Sequence, residues 1–264
     1  MRNLLGLLIA GLLFTFSTSL LTAQASKDRL YKITTTQVSP SKVIDYEKAI
    51  ANFGDALRAV DATEVEIHAY RTNDFHYFFA EPVNNMAELF TNKWTATVEK
   101  VGEEKFTGLL GKAMECERER REDFFLYKGD LSYRHASLKG QKQNYRVWTA
   151  YQFKAGTKEE AVALCKEFKA LYQKHDISVN YAIYFSVLGT NDNTVLVLDV
   201  AKDAFTYEQQ QKELAEKLGK ELQPLIVRLY ATLDKVEIKR GYYLSKFSNV
   251  PGAAPASVAK KEDE

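Results

Sequence analysis

The chain has little cysteine, almost no net charge and no recognisable catalytic motif, and each shortage closes off a class of protein. Cys116 and Cys165 are its two cysteines in 264 residues, too few for a disulfide-dense scaffold. Cys165 falls on the apolar stripe of an expected helix, where a thiol behaves as a small hydrophobe. Two unpaired thiols are therefore favoured over a bridge. Lysine plus arginine number 36 against 35 acids, a formal charge of +1. Nucleic-acid binding needs a basic field that this balance lacks, and nothing draws the chain to anionic membranes. No P-loop, dinucleotide glycine pattern, G-x-S-x-G or H-E-x-x-H occurs, so nucleotide binding, serine-nucleophile chemistry and zinc proteolysis have no support. The four histidines show no tight metal-ligand spacing. Neither a metal nor another cofactor is expected.

Long apolar runs are also missing, except at the start. Met1-Arg2-Asn3 is a short basic opening, Leu4 to Phe16 is uncharged and apolar, and Ala23-Gln24-Ala25 is an A-x-A cleavage site before Ser26. The apolar stretch falls short of the roughly 20 residues a spanning helix needs, so residues 1–25 read as a cleaved secretory signal. The expected location is periplasmic or extracellular, with no membrane attachment after cleavage.

What is present is a repeat. Thr72-Asn73-Asp74 recurs as Thr190-Asn191-Asp192, an offset of 118 that also maps Phe124-Phe125-Leu126 onto Tyr242-Tyr243-Leu244 and Ser39 onto Thr157. Each copy opens with a strand, Tyr31 to Val38 and Tyr145 to Phe153, then enters a helix. Ser39 can cap the first, with Pro40 at its first position; Thr157 to Glu160 has the pattern of a capping box. Val43, Tyr46, Ile50, Phe53 and Leu57 recur at helical spacing, as do Ala161, Leu164, Phe168 and Leu171. Two strands follow, Glu64 to Arg71 with Phe75 to Ala80, and Asn180 to Leu188 with Thr194 to Val200. Long helical regions are expected over 86–117 and 206–236, broken or bent at Gly102, Gly111 and Pro224. The copies close on strands Asp123 to Tyr127 and Gly241 to Lys246. Residues 128–144 read as a linker and 249–264 as a disordered tail.

Strand–helix–strand–strand–helix–strand is the ferredoxin-like pattern, whose sheet has helices on one face. Thr194 to Leu198 is apolar at consecutive positions, so its other face is buried too. The fold expected is α+β, with two ferredoxin-like βαββαβ repeats, 29–127 and 145–248, packing their bare faces together as a barrel.

On the hairpins around Asn73-Asp74 and Asn191-Asp192, and on Trp94 in the second helix, the chain resembles the dimeric α+β barrel superfamily, which includes the NIPSNAP and antibiotic-biosynthesis-monooxygenase-like proteins. The resemblance runs from Arg29 to Ser248 and implies a dimer fused into one chain, alone or in a further homo-oligomer. Some relatives hold haem through a histidine, but none here matches that role.

Residues facing one another across a hairpin share a face. If Thr72 faces Phe75, one face carries Glu64, Glu66, His68, Tyr70, Tyr77, Phe79 and Glu81, and the second copy contributes Tyr184, Ser186, Leu188, Val195, Val197 and Asp199. Glu64, Glu66, His68, Tyr70, Tyr77, Glu81, Tyr184, Ser186 and Asp199 are the candidate ligand-binding set. Carboxylates in apolar surroundings gain raised pKa values and would suit a cationic ligand or acid–base work. A longer turn would shift the register and turn the side chains over. Two alternatives stand beside a small-molecule binding protein. One is a cofactor-independent monooxygenase- or isomerase-like enzyme, as the resemblance allows, with His68 or Glu66 as base; the other is an interaction protein without a pocket. His76, His135, His175, Trp94 and Trp148 read as structural. The charge run Glu115 to Glu122 reads as a solvated helix face.

Overall fold

The structure, a computed structural model, describes residues 28–189 and 193–252. The expected signal segment, Thr190-Asn191-Asp192 and the end of the expected tail lie outside the described residues. Nine strands occur among them: β1 (Arg29–Val38), β2 (His68–Thr72), β3 (His76–Val83), β4 (Glu117–Tyr127), β5 (Tyr133–Arg134), β6 (Tyr145–Phe153), β7 (Asn180–Leu188), β8 (Thr194–Ala201) and β9 (Leu233–Tyr243). Five α-helices accompany them: α1 (Val43–Ala59), α2 (Thr95–Val101), α3 (Glu103–Met114), α4 (Lys158–Lys174) and α5 (Ala204–Ala231).

The strands hydrogen-bond in the order β4-β1-β3-β2-β9-β6-β8-β7, and β7 returns to β4, so eight of them close a barrel. β5 pairs with the start of β7. Closure removes the free sheet edges that invite aggregation. Side chains alternate across each strand, so every strand gives one set to the interior and one to the helices outside.

Two helix layers cover the outer face. Tyr46, Ile50, Phe53 and Leu57 of α1 are buried at spacings of three and four, over Val65, Ile67 and Tyr77 from the strand side and against Phe106 of α3. Leu164 and Leu171 of α4 meet Leu214, Leu218 and Leu222 of α5 over Ile183 and Val195. Each fully buried leucine contributes roughly 1.5–3 kcal/mol relative to exposure.

The barrel has two seams, β2–β9 and β4–β7, and a glycine sits at each. A Cβ on Gly241 would lie 1.9 Å from the Arg71 carbonyl oxygen. One on Gly189 would lie 2.8 Å from the Glu122 carbonyl oxygen, and φ there is +106°, a conformation glycine adopts without strain. Any larger residue would push the strands apart.

Several local expectations give way. Neither Ser39 nor Thr157 makes a side-chain cap; the Thr157 hydroxyl donates instead to the Lys154 carbonyl at 2.7 Å. Gly102 does separate two helices, at φ 88°, but Gly111 lies inside α3 and Pro224 inside a continuous α5. The charge run is a strand, not a helix: Glu119 to Glu122 pair with Thr34 to Gln37 of β1, so the partner decides where the run's own pattern is mute. β9 starts at Leu233, because Lys235, Glu237 and Lys239 alternate with Val236 and Ile238 at strand period. Asn249 is not tail: it exchanges backbone hydrogen bonds with Ile67, and its side chain donates to Ala62 and Val65. The two cysteines are free thiols.

Candidate functional site

The barrel is hollow, with a cavity of about 460 Å³, within the range of small-molecule sites. Its wall is aromatic at the centre. Trp148 lies 5.6 Å from Tyr70 and 5.3 Å from Phe78, centre to centre. Tyr184 lies 5.9 Å from Tyr31 and 5.4 Å from Tyr127. These offset and edge contacts are the favourable ring arrangements and fix the shape of the lining. Burial pushes the Tyr70 hydroxyl up to about 12 and raises those of Tyr31 and Tyr184, so all three stay protonated donors at neutral pH.

Polar groups gather at both mouths. At one, the His68 Nε2 meets Glu66 Oε1 at 2.8 Å, and Arg29 donates to the other Glu66 oxygen at 2.9 Å. Burial alone would raise the Glu66 carboxyl, but the bonds from His68 and Arg29 outweigh it and hold the group below its ordinary value. Glu66 is thus a fixed anion that orients an imidazole. With the Nε2 proton directed to Glu66, Nδ1 is the basic nitrogen. Arg146 projects into the cavity at the same end, its guanidinium 6.0 Å from the Tyr70 ring centre and 5.7 Å from that of Tyr243. At the opposite mouth the charges are matched: Arg121 with Asp123 at 3.2 Å, Lys235 with Glu237 at 3.3 Å, and Lys239 with Asp74 at 2.7 Å.

Of the residues expected from sequence, His68, Tyr70 and Tyr184 line the cavity and Glu66 sits at its rim. Ser186 accepts from the amide of Thr194, itself a lining residue. Tyr77, Glu81 and Asp199 do not join them, because the hairpin loop is one residue longer than supposed. Thr72 stands opposite His76, and Asn73-Asp74-Phe75 form the turn, closed by the Phe75 amide on the Thr72 carbonyl with Phe75 at φ 61°. A turn ended by a left-handed residue is a common three-residue hairpin loop. The register becomes His68 to Ala80 and Tyr70 to Phe78, which puts Phe78 and Ala80 inside and Tyr77, Phe79 and Glu81 outside. Tyr77 is buried against Tyr46 and donates to Glu47 at 2.8 Å; Glu81 binds Lys93 and Lys32 at 2.9 and 3.3 Å. The second hairpin is displaced likewise, with Ala182 opposite Leu198 and Tyr184 opposite Leu196. Val195, Val197 and Asp199 therefore face the helices. Glu64 precedes β2 in a turn and accepts from Thr97 of α2 at 2.7 Å.

The expectation missed Tyr31, Trp148 and Arg146. A usable signal existed: Arg146, Trp148, Ala150 and Gln152 occupy alternate positions of one strand, opposite the apolar set Val147, Tyr151 and Phe153. An arginine in phase with a tryptophan on a barrel strand points to the same compartment.

Among the described residues no three of His, Cys, Asp and Glu converge as metal ligands. Of the four histidines His68 is the one that lines the cavity; His76, His135 and His175 pair with Asp74, Asp176 and Glu221.

No family model matches the sequence, and no curated protein matches it. Solved structures do match. An anthrone oxidase-like protein aligns at TM-score 0.58 and 13% identity, over 83% of this chain and 93% of that one. A candidate monooxygenase from Lactobacillus acidophilus NCFM aligns at 0.55 and 8%, over 86% and 99%. Another from Fusobacterium nucleatum aligns at 0.55 and 12%, over 83% and 94%. At such identities the likeness is one of fold: the chain shares the architecture of these three proteins.

Proposed function

We propose that the barrel interior is the active site of a cofactor-independent enzyme acting on a small aromatic molecule with an ionisable C–H or O–H. The observation that carries this reading is the His68–Glu66 pair at 2.8 Å on the rim of an aromatic cavity. A carboxylate that fixes an imidazole leaves it oriented as a general base. Nδ1 of His68 takes the substrate proton, and the hydroxyls of Tyr70 and Tyr184 serve as donors to the oxygen that gains charge. The anthrone oxidase-like and monooxygenase-like structures support an oxidative outcome, although fold alone fixes no function. For an anthrone-type substrate, the anion left by proton loss reacts with dioxygen. One oxygen atom stays on the carbon that lost two hydrogens, and the other leaves with them as water.

Oxygen uptake and product mass with anthrone test the reading. Wild-type protein should consume oxygen, His68→Gln should lower the rate about 10²–10⁴-fold, and Glu66→Gln should fall between. An unchanged rate in His68→Gln would overturn the assignment; saturable binding without any oxygen uptake would make the protein a carrier.

We also read the chain as an exported, internally duplicated barrel. The strand orders β4-β1-β3-β2 and β9-β6-β8-β7 correspond, as do α1 and α4, both 17 residues long. The N-terminus of the protein recovered from outside the cytoplasm should be Ser26.

A further inference from the structure

Arg146 is a cation without an anion. Its NH1 group donates to the backbone carbonyls of Gln143 and Tyr145 at 2.7 and 2.9 Å, and Tyr70 and Tyr243 lie beside it. Among the described residues no carboxylate forms an ion pair with it. The acids near the cavity are engaged elsewhere: Glu66 by Arg29 and His68, Asp123 by Arg121, Glu237 by Lys235 and Lys239. Burial disfavours the charged guanidinium, yet arginine does not give up its proton in a protein. A charge in that position is stabilised by a counter-anion, and ring faces replace one only in part. A second cation stands at the same end. Arg134 of β5 also lines the cavity, in the cross-strand row that runs through Asn180 and Val200 to Arg146.

We infer that the molecule held in the barrel is an aromatic anion, a carboxylate or an ionised phenol, whose charged oxygen is received by Arg146. The inference rests on the reading of the interior as a small-molecule site and reverses the charge expected from sequence. The carboxylates that pointed to a cationic ligand are either neutralised in pairs or face the helices, and a guanidinium remains. Its donors match the two oxygens of a carboxylate or the single oxygen of a phenolate.

Isothermal titration of the purified protein with 2-naphthoate, 2-naphthamide and 2-naphthol tests this. The naphthoate should bind at least about tenfold more tightly than the amide, which has the same shape and no charge. Arg146→Met should bring the naphthoate to the level of the amide and leave the amide unchanged, while Arg146→Lys keeps part of the preference. Because Arg146→Met removes two hydrogen bonds to the chain, its far-ultraviolet circular dichroism is compared with wild type, and Arg146→Lys carries the test should it not fold. Titrating 2-naphthol below and above its own ionisation separates the sources: tightening on ionisation assigns a phenolate site, and a preference confined to naphthoate assigns a carboxylate site. Equal binding of naphthoate and amide by wild type, or a preference that survives Arg146→Met, overturns the inference and leaves the cavity reading standing. If none of the three binds, the cavity reading fails with it.

Discussion

Arg146 and Asp199 are near neighbours on opposite faces of one sheet. In the β6–β8 ladder Arg146 stands opposite Val200, and Asp199 opposite Val147, one position along. Arg146 points into the barrel and Asp199 toward α4 and α5, among Tyr151, Tyr172, Tyr181 and Tyr207, whose hydroxyls feel its charge. Neither forms an ion pair with a described residue. The two groups meet burial differently. Desolvation raises the Asp199 carboxyl to about 7, so in mildly acidic solution it escapes the cost of burial by keeping its proton. The guanidinium has no such exit. An acid under the helices is self-sufficient; a cation in the cavity waits for company from outside.

The comparison presupposes one closed sheet, and the change that breaks it most severely is at a seam. Gly241→Ala would drive a methyl group into the Arg71 carbonyl. The expected loss is about 3–5 kcal/mol of stability or failure to fold, at the upper end for single substitutions, measured by urea denaturation; a loss below about 1 kcal/mol would mean that the seam parts without consequence.

Next in size is the pH dependence contributed by Asp199. A carboxyl whose folded pKa is raised binds more protons folded than unfolded, so its stabilisation is complete below the unfolded value near 3.8 and declines as pH rises to about 7. That amounts to on the order of 4 kcal/mol across the window. Asp199→Asn should flatten this part of the stability profile while leaving the carboxylates bound to lysines and arginines to destabilise the protein at the acid end. A wild-type profile that shows no difference from Asp199→Asn between pH 4 and 7 would show that Asp199 is ionised throughout.

The smallest effect falls on Arg146 itself. Removing an uncompensated charge should raise the stability of the ligand-free protein by roughly 1 kcal/mol in Arg146→Met, a trade of function against stability of the kind active sites make. A fall in melting temperature instead would mean that its bonds to Gln143 and Tyr145 hold the strand start together, which makes Arg146 a structural residue.

The sequence was most legible where periodicity was long. The α1 and α4 stripes and the boundaries of β6 and β7 follow from side-chain spacing, because tertiary packing there agrees with local preference. It was least legible where another segment decides. Nothing in Glu117 to Glu122 announces a strand; β1 makes it one. Pro224 did not end α5, whose leucines carry the helix across it. The site was half legible for a single reason. His68, Tyr70 and Tyr184 were placed inside by alternation along their own strands, whereas Tyr77, Glu81 and Asp199 were placed by counting through a turn. Phe75, a bulky residue in a left-handed conformation, added a residue to the first turn that composition does not reveal, and one residue inverts the assignments of Tyr77 and Glu81 beyond it; the β7–β8 register turned Asp199 over in the same way.

The two tryptophans are divided between the compartments. Trp94 is packed between Phe53 and Phe106 in the helix layer, whereas Trp148 forms part of the cavity wall. Filling the barrel must therefore alter the emission of one indole and spare the other. With Trp94→Phe as background, the protein becomes an optical gauge of its own occupancy, readable without a label and before any product has been identified.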